Sequence, residues 1–237
     1  MKFSRKKNPV LILSLLYRMY KYYPFSNKRK IKRLLTREWI YKRLAFEESF
    51  KMYNPAEHPF YLNAREFIQP FISSGMEILD IGCKHGHILN FIAKNDVIIT
   101  GIDHDENAIN IAKKKYSIPN LHFIHRDAID HFNQSEKKYD LIILSNFLEH
   151  LDDPEEFLSK LHPFSKLIYI DLPDFDASYL NVFRKNFNAS LIYEDNDHIF
   201  EFTREELIKI LHETGYEIIT SSYKFGFQKY IIKSIEK

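Results

Sequence analysis

The chain has 237 residues, 45% of them hydrophobic, and a single cysteine. That is enough for one domain with an attachment or for two small ones. It excludes an internal disulfide framework, and none of the eleven histidines is spaced with a cysteine as in a zinc site. The formal charge of +2 is split: residues 1–50 carry 14 Lys/Arg and 3 Glu (net +11), and residues 51–237 carry 20 Lys/Arg and 29 Asp/Glu (net −9). This is the pattern of a basic appendage on an acidic body.

The apolar run at residues 10–16 is short for a signal-peptide core, and no small-residue cleavage site follows it. It also falls far below the ~20 residues that span a bilayer. The expectation is a cytoplasmic protein. Asn8 and Pro9 suit a helix start, Pro24 closes that helix, and Ser26-Asn27 can cap a second one. In the second helix Ile31, Leu34, Leu35 and Trp39 recur at helical spacing. Residues 47–62, with Pro55 and Pro59, read as a linker or a shorter element. Two units are expected, a basic helical extension over residues 1–50 and a main domain over residues 51–237.

From about residue 62, short apolar runs alternate with helical stretches. The runs are residues 78–81, 97–102, 121–124, 141–144 and 167–170, with helices at 106–115 and 153–161 among those between them. This is the signature of a parallel sheet covered on both faces. An irregular stretch follows residue 171, then a helix at about 203–214. Strands at about 216–221 and 227–235 are joined through residues 222–226 as a hairpin, so the last strand runs antiparallel. The fold class is α/β: a three-layer, Rossmann-like arrangement on a mostly parallel seven-stranded sheet.

Ligands of such sheets bind at the carboxyl ends of the strands. Those ends carry Asp80 with Gly82 and Gly86, then Asp103, Asp127-Ala128, Ser145-Asn146 with Glu149-His150, and Asp171. A dinucleotide fingerprint needs G-x-G-x-x-G. Here Gly82-Cys83-Lys84-His85-Gly86 has the wrong glycine spacing, and Asp80 would repel a pyrophosphate. A ligand with a cationic centre and no phosphate fits better.

These segments together resemble a known family. Asp80-Ile81-Gly82-Cys83-Lys84-His85-Gly86 is similar to the cofactor loop of class I S-adenosylmethionine-dependent methyltransferases. Gly101-Ile102-Asp103-His104-Asp105 is similar to their ribose-binding segment, and Asp127-Ala128 to the pair beside the adenine. The stretch from Tyr139 to Pro154, with its Glu149-His150 pair, resembles the fourth-strand motif. The segments around His198–Leu207 and Glu213–Tyr216 resemble the region before the sixth strand. The likeness runs from about residue 62 to the end.

The resemblance implies S-adenosylmethionine as cofactor, held by Asp80, Gly82, Lys84, Gly86, Asp103, His104, Asp127, Ala128, Ser145 and Asn146. One carboxylate at Asp103 suits two ribose hydroxyls. The amino acid end of the cofactor suits backbone groups of the Gly82–Gly86 loop. The family has glycine where this chain has Lys84. His150 is the candidate base, with Glu149 beside it, and no metal is expected, although Glu149, His150 and Asp153 are weighed as cation ligands. Bland readings stand beside these: Asp103 as a helix cap, Asp127 as a surface acid, His150 as a structural histidine.

The expected activity is O-methylation of a small-molecule or glycan-type acceptor. The alternatives are an RNA methyltransferase using the basic arm, and a non-catalytic cofactor-binding or scaffold protein. Residues 1–45 are read as a helical cover, as a peripheral membrane contact or as an RNA-binding arm. Asp174, Phe175, Asp176, Tyr179 and Tyr193 are expected to line the acceptor side.

Overall fold

The computed structural model describes residues 11–54, 57–93, 96–134, 136–189 and 197–235. Among them the strands are β1 (Glu77–Ile81), β2 (Ile98–Asp103), β3 (Leu121–His125), β4 (Tyr139–Ser145), β5 (Ser165–Pro173), β6 (Tyr216–Lys224) and β7 (Phe227–Ser234). They form one sheet in the order β3-β2-β1-β4-β5-β7-β6. Pairing is parallel from β3 through β5. The last hairpin enters in reverse, with β7 antiparallel to both β5 and β6.

The helices are α1 (Leu11–Lys21), α2 (Asn27–Met52), α3 (Pro59–Ile68), α4 (His87–Ile92), α5 (Glu106–Lys115), α6 (Ala128–Asn133), α7 (Pro154–Leu161), α8 (Tyr179–Asn186) and α9 (Arg204–Glu213). Local chemistry sets their starts. Asp105 accepts the N–H groups of Asn107 and Ala108 to begin α5, which ends on three lysines that suit its dipole. Thr203 and Glu206 close a capping box at α9.

The central runs are continuously apolar because both faces are covered. On one face Leu79, Ile142, Leu144 and Ile170 pack with Phe157 and Leu161 of α7 and Leu207 and Leu211 of α9. On the other, Ile78, Leu141, Ile143 and Tyr169 pack with Ile68, Leu89, Ile92 and Ile109.

Three segments differ from expectation. Residues 47–62 are not a linker for most of their length. Helix α2 continues to Met52, and α3 begins at Pro59 on a His58 cap. The Phe50 ring stacks on His58 at 4.0 Å, which folds the turn back on the helix. The stretch after residue 171 is not irregular throughout: β5 runs to Pro173 and α8 starts from the Ser178 cap. The final hairpin is tighter than residues 222–226, because Phe225 and Gly226 both adopt positive φ (57° and 82°). That twist matches a two-residue turn between paired strands.

Helix α2 crosses the expected boundary at residue 50 and is fastened to the body. Leu35 is buried, and the buried Arg184 of α8 donates to the Leu35 carbonyl (3.4 Å) and to Asn181 Oδ1 (2.6 Å) and pairs with Glu38.

Candidate active site

The strand order reverses between β1 and β4, which opens a crevice at their carboxyl ends. Two cavities lie there, with Gly82 and His150 lining both. One, of about 310 Å³, is bounded by Asp80, Gly82, Lys84, Ser145, Asn146 and His150, and by Phe46, Phe50, Phe60, Tyr61, His198 and Phe227. The other, of about 180 Å³, is bounded by Asp103, His104, Arg126, Asp127, Ala128 and Phe147. Two expected site residues stand behind these walls. Glu149 is buried, and Gly86 sits where a Cβ would lie 2.5 Å from the Phe123 ring.

The β1 loop is tied to β2. The Ile102 carbonyl accepts Gly82 N–H (2.9 Å) and Cys83 N–H (3.0 Å), and the Cys83 carbonyl accepts Gly86 N–H (2.8 Å). Asp103 accepts Lys84 N–H on Oδ2 and Asp105 N–H on Oδ1, both at 2.8 Å. These four loop N–H groups are engaged within the fold. Asp103 is 5% exposed and is not the cap of α5, a role that Asp105 fills. Asp127 does cap α6, but both bonds fall on Oδ1.

Asp80 is the informative carboxylate. It is 4% exposed, and its Oδ1 has no hydrogen-bond partner among the described residues. Burial, and then the carboxylates of Asp171 and Asp103, push its pKa well above the usual range. A cationic centre in the crevice would give Asp80 the partner the chain withholds. Beneath it Asp171, fully buried, accepts Ser145 Oγ and Tyr169 Oη at 2.7 Å each. Lys229 lies opposite on β7 and is 1% exposed. Sequence reasoning missed Lys229, since a strand lysine normally faces water. Its position two residues from both Phe227 and the buried Ile231 was the available signal.

After β4 a single 3₁₀ turn, Leu148–His150, places two titratable groups side by side. His150 Nδ1 lies 3.2 Å from the Asp197 carbonyl. A carbonyl only accepts, so Nδ1 carries the proton and Nε2 keeps its lone pair. Burial lowers the His150 pKa, which favours the neutral ring. Glu149 is 1% exposed, and neither carboxylate oxygen has a hydrogen-bond partner among the described residues. Burial pushes it up to about 8.

His198 joins this pair from the segment before α9. Its ring lies 4.8 Å from that of His150, and its Nδ1 is 2.8 Å from Glu201 Oε1. One ligand-type atom from each of Glu149, His150 and His198 lies within 4.8 Å of the others, so among the described residues these three, without Asp153, form a group able to hold a cation. Asp153 instead caps α7 by accepting Glu156 N–H.

The expected acceptor liners are placed elsewhere. Asp174 is buried in an ion pair with Arg204 (2.6 Å), Phe175 is buried, Asp176 accepts Arg204 N–H, and Tyr179 is 72% exposed. Tyr193 lies outside the described residues. The aromatic wall comes from Phe46 and Phe50 of α2, one helical turn apart, which sequence reading left unread because the helix was broken at residue 47.

Known proteins share this arrangement. The methyltransferase domain family matches residues 53–221, starting where α2 ends. A ubiquinone biosynthesis O-methyltransferase of Coxiella burnetii is 24% identical over 153 residues, which is 62% of this chain and 65% of that protein. An N-methyltransferase of Papaver somniferum is 33% identical over 100 residues, 40% of this chain and 28% of its own. A methyltransferase from Archaeoglobus fulgidus, described as dependent on S-adenosylmethionine, has the same fold. Its TM-score is 0.59 at 20% identity, with 81% of this chain and 99% of that one covered. The orphaned Asp80 oxygen beside the cavity and the carboxylates at Asp103 and Asp127 fit a cofactor with a cationic sulfur, an amino group and ribose hydroxyls. The chain belongs to this methyltransferase domain family.

Proposed function

We propose that the protein is a class I methyltransferase that uses S-adenosylmethionine, that it methylates an oxygen of a small acceptor with an apolar body, and that His150 takes the acceptor's proton. The cofactor supplies a methyl group on a sulfonium, an electrophile that needs alignment more than activation. Asp80 would face its ammonium or sulfonium charge, Asp103 the ribose hydroxyls, and the unengaged oxygen of Asp127 the adenine amino group. Phe46, Phe50, Phe60 and Phe227 would exclude water from the acceptor and hold its apolar body.

The observation that carries this reading is His150. It lines both cavities, burial favours its neutral form, and its Nδ1 proton is engaged by the Asp197 carbonyl, so Nε2 can accept a hydroxyl proton. The Coxiella burnetii relative, named for O-methylation in ubiquinone biosynthesis, supports oxygen as the acceptor atom.

The test is methyl transfer to matched catechols, phenols and amines. Turnover of the hydroxyl compounds is expected, falling on the order of 10²-fold or more in His150→Ala with S-adenosylhomocysteine affinity unchanged. Transfer to amines alone, or a fully active variant, would overturn the reading. Activity lost to a chelator and restored by a divalent ion would reassign Glu149, His150 and His198 to cation binding.

A further inference from the structure

We propose that the outer surface of α1 and α2 docks on an anionic lipid bilayer. Among the described side chains of α1 and the turn after it, Leu15, Leu16, Met19, Tyr22 and Tyr23 are 52–76% exposed. At 100° per residue these five fall within an arc of about 120°. Tyr22 N–H still bonds to the Arg18 carbonyl, so the helical geometry carries past Lys21.

The partner is argued from charge. Residues 1–37 contain no Asp or Glu, and residues 11–37 carry eight Lys/Arg. Arg37 lies over the Tyr20 ring at 5.9 Å and Arg33 over the Phe25 ring at 4.2 Å, so cations of α2 hold the α1 turn against it. The inner face of α2 is fastened to the body through Leu35 and Glu38. Its opposite face leaves Leu34, Tyr41 and Leu44 exposed at 45–68% beside Lys30, Arg33 and Arg37.

Exposed aliphatic side chains set among cations are the composition of a helix lying in a membrane interface. A second copy of this surface would be repelled by its own cations. An RNA would match the charge, but its recognition rests on stacking planes, and Leu15, Leu16 and Met19 would be left in water. No helix of the described residues is long and apolar enough to cross the membrane, so the attachment is to its surface. The same helix α2 lines a cavity of about 230 Å³ through Lys42, Arg43 and Phe46, with Phe225 and Phe227 opposite. If the acceptor reading above holds, docking brings that cavity next to the lipid. The docking itself does not depend on it.

The experiment is cosedimentation of the full chain with vesicles of phosphatidylcholine, alone or mixed with phosphatidylglycerol. Binding is expected only to the mixed vesicles, weakening as salt rises. Replacing Leu15, Leu16 and Met19 together by Ser should weaken it about tenfold or more. S-adenosylhomocysteine affinity and melting temperature should stay as in the parent chain, which separates lost docking from lost folding. No binding to anionic vesicles, or equal binding by the triple variant, overturns the proposal. So does a dimer in solution that the variant abolishes, or single-stranded RNA that binds both proteins alike and displaces the vesicles.

Discussion

Lys84 has a φ of +45°, where a Cβ crowds the backbone at roughly 1–2 kcal/mol. The conformation is held because its N–H reaches Asp103 Oδ2 and the neighbouring donors reach Ile102. This explains the one residue in the loop that departs from the family pattern: the position needs a left-handed backbone, for which glycine is the unstrained choice. Lys84→Gly is expected to stabilise the protein by about 1 kcal/mol, a rise of roughly 2–4 °C in a thermal melt; an unchanged or lower midpoint contradicts the strain. Glu149 gives a second test. Its folded pKa of about 8 lies above the ordinary 4.5, so between these values the native state holds a proton that the unfolded chain has released. Stability should therefore fall as pH rises through that window. Glu149→Gln should flatten the slope and overtake the parent near pH 8, as read from urea midpoints at about pH 5 and about pH 8.

At the scale of elements, α2 joins the basic N-terminal stretch to the sheet and its helices. Its inner face contributes Leu35 to the packing against α8 and Phe46 and Phe50 to the cavity wall. The anchor is Arg184, buried among Asn181, the Leu35 carbonyl and Glu38. Removing a buried cation strands its partners, so Arg184→Ala is expected to cost about 3 kcal/mol. Hydrogen exchange should quicken first in Asn27–Met52 and leave β4 protected; uniform acceleration would mean that α2 and the sheet are one cooperative unit. The helices at 106–115 and 153–161 were legible from periodicity, but the cap of α5 is Asp105 and not the Asp103 that the sequence offered. The continuity of α2 was not legible. Pro55 and Pro59 suggest a linker, while the stacking of Phe50 on His58 that closes the turn depends on geometry.

Across the whole molecule, the strand-order reversal at β1 and β4 gathers carboxylates from separate segments into one crevice. Asp103 fastens the β1 loop to the end of β2, in addition to the ribose contact proposed for it. Asp103→Ala is expected to weaken S-adenosylhomocysteine binding at least tenfold by calorimetry, about 1.4 kcal/mol, and to lower the melting temperature as well. Loss of binding without loss of stability would separate the two functions. The alternating apolar runs determined the fold class, and the glycine loop with Asp80 and the acids after each strand marked the crevice proposed to hold the cofactor. All of these rest on periodicity and on contacts close in sequence. Tertiary structure alone decided which distant residues gather at the proposed acceptor side. Phe46, Phe227, His198 and the buried Lys229 lie 150 residues or more from one end of that set to the other, and no spacing in the chain relates them. The packing of α2 and of the β6–β7 hairpin against the sheet brings Phe46 and Phe227 to the cavity that His150 and His198 line, because burial of apolar surface is a property of the folded whole.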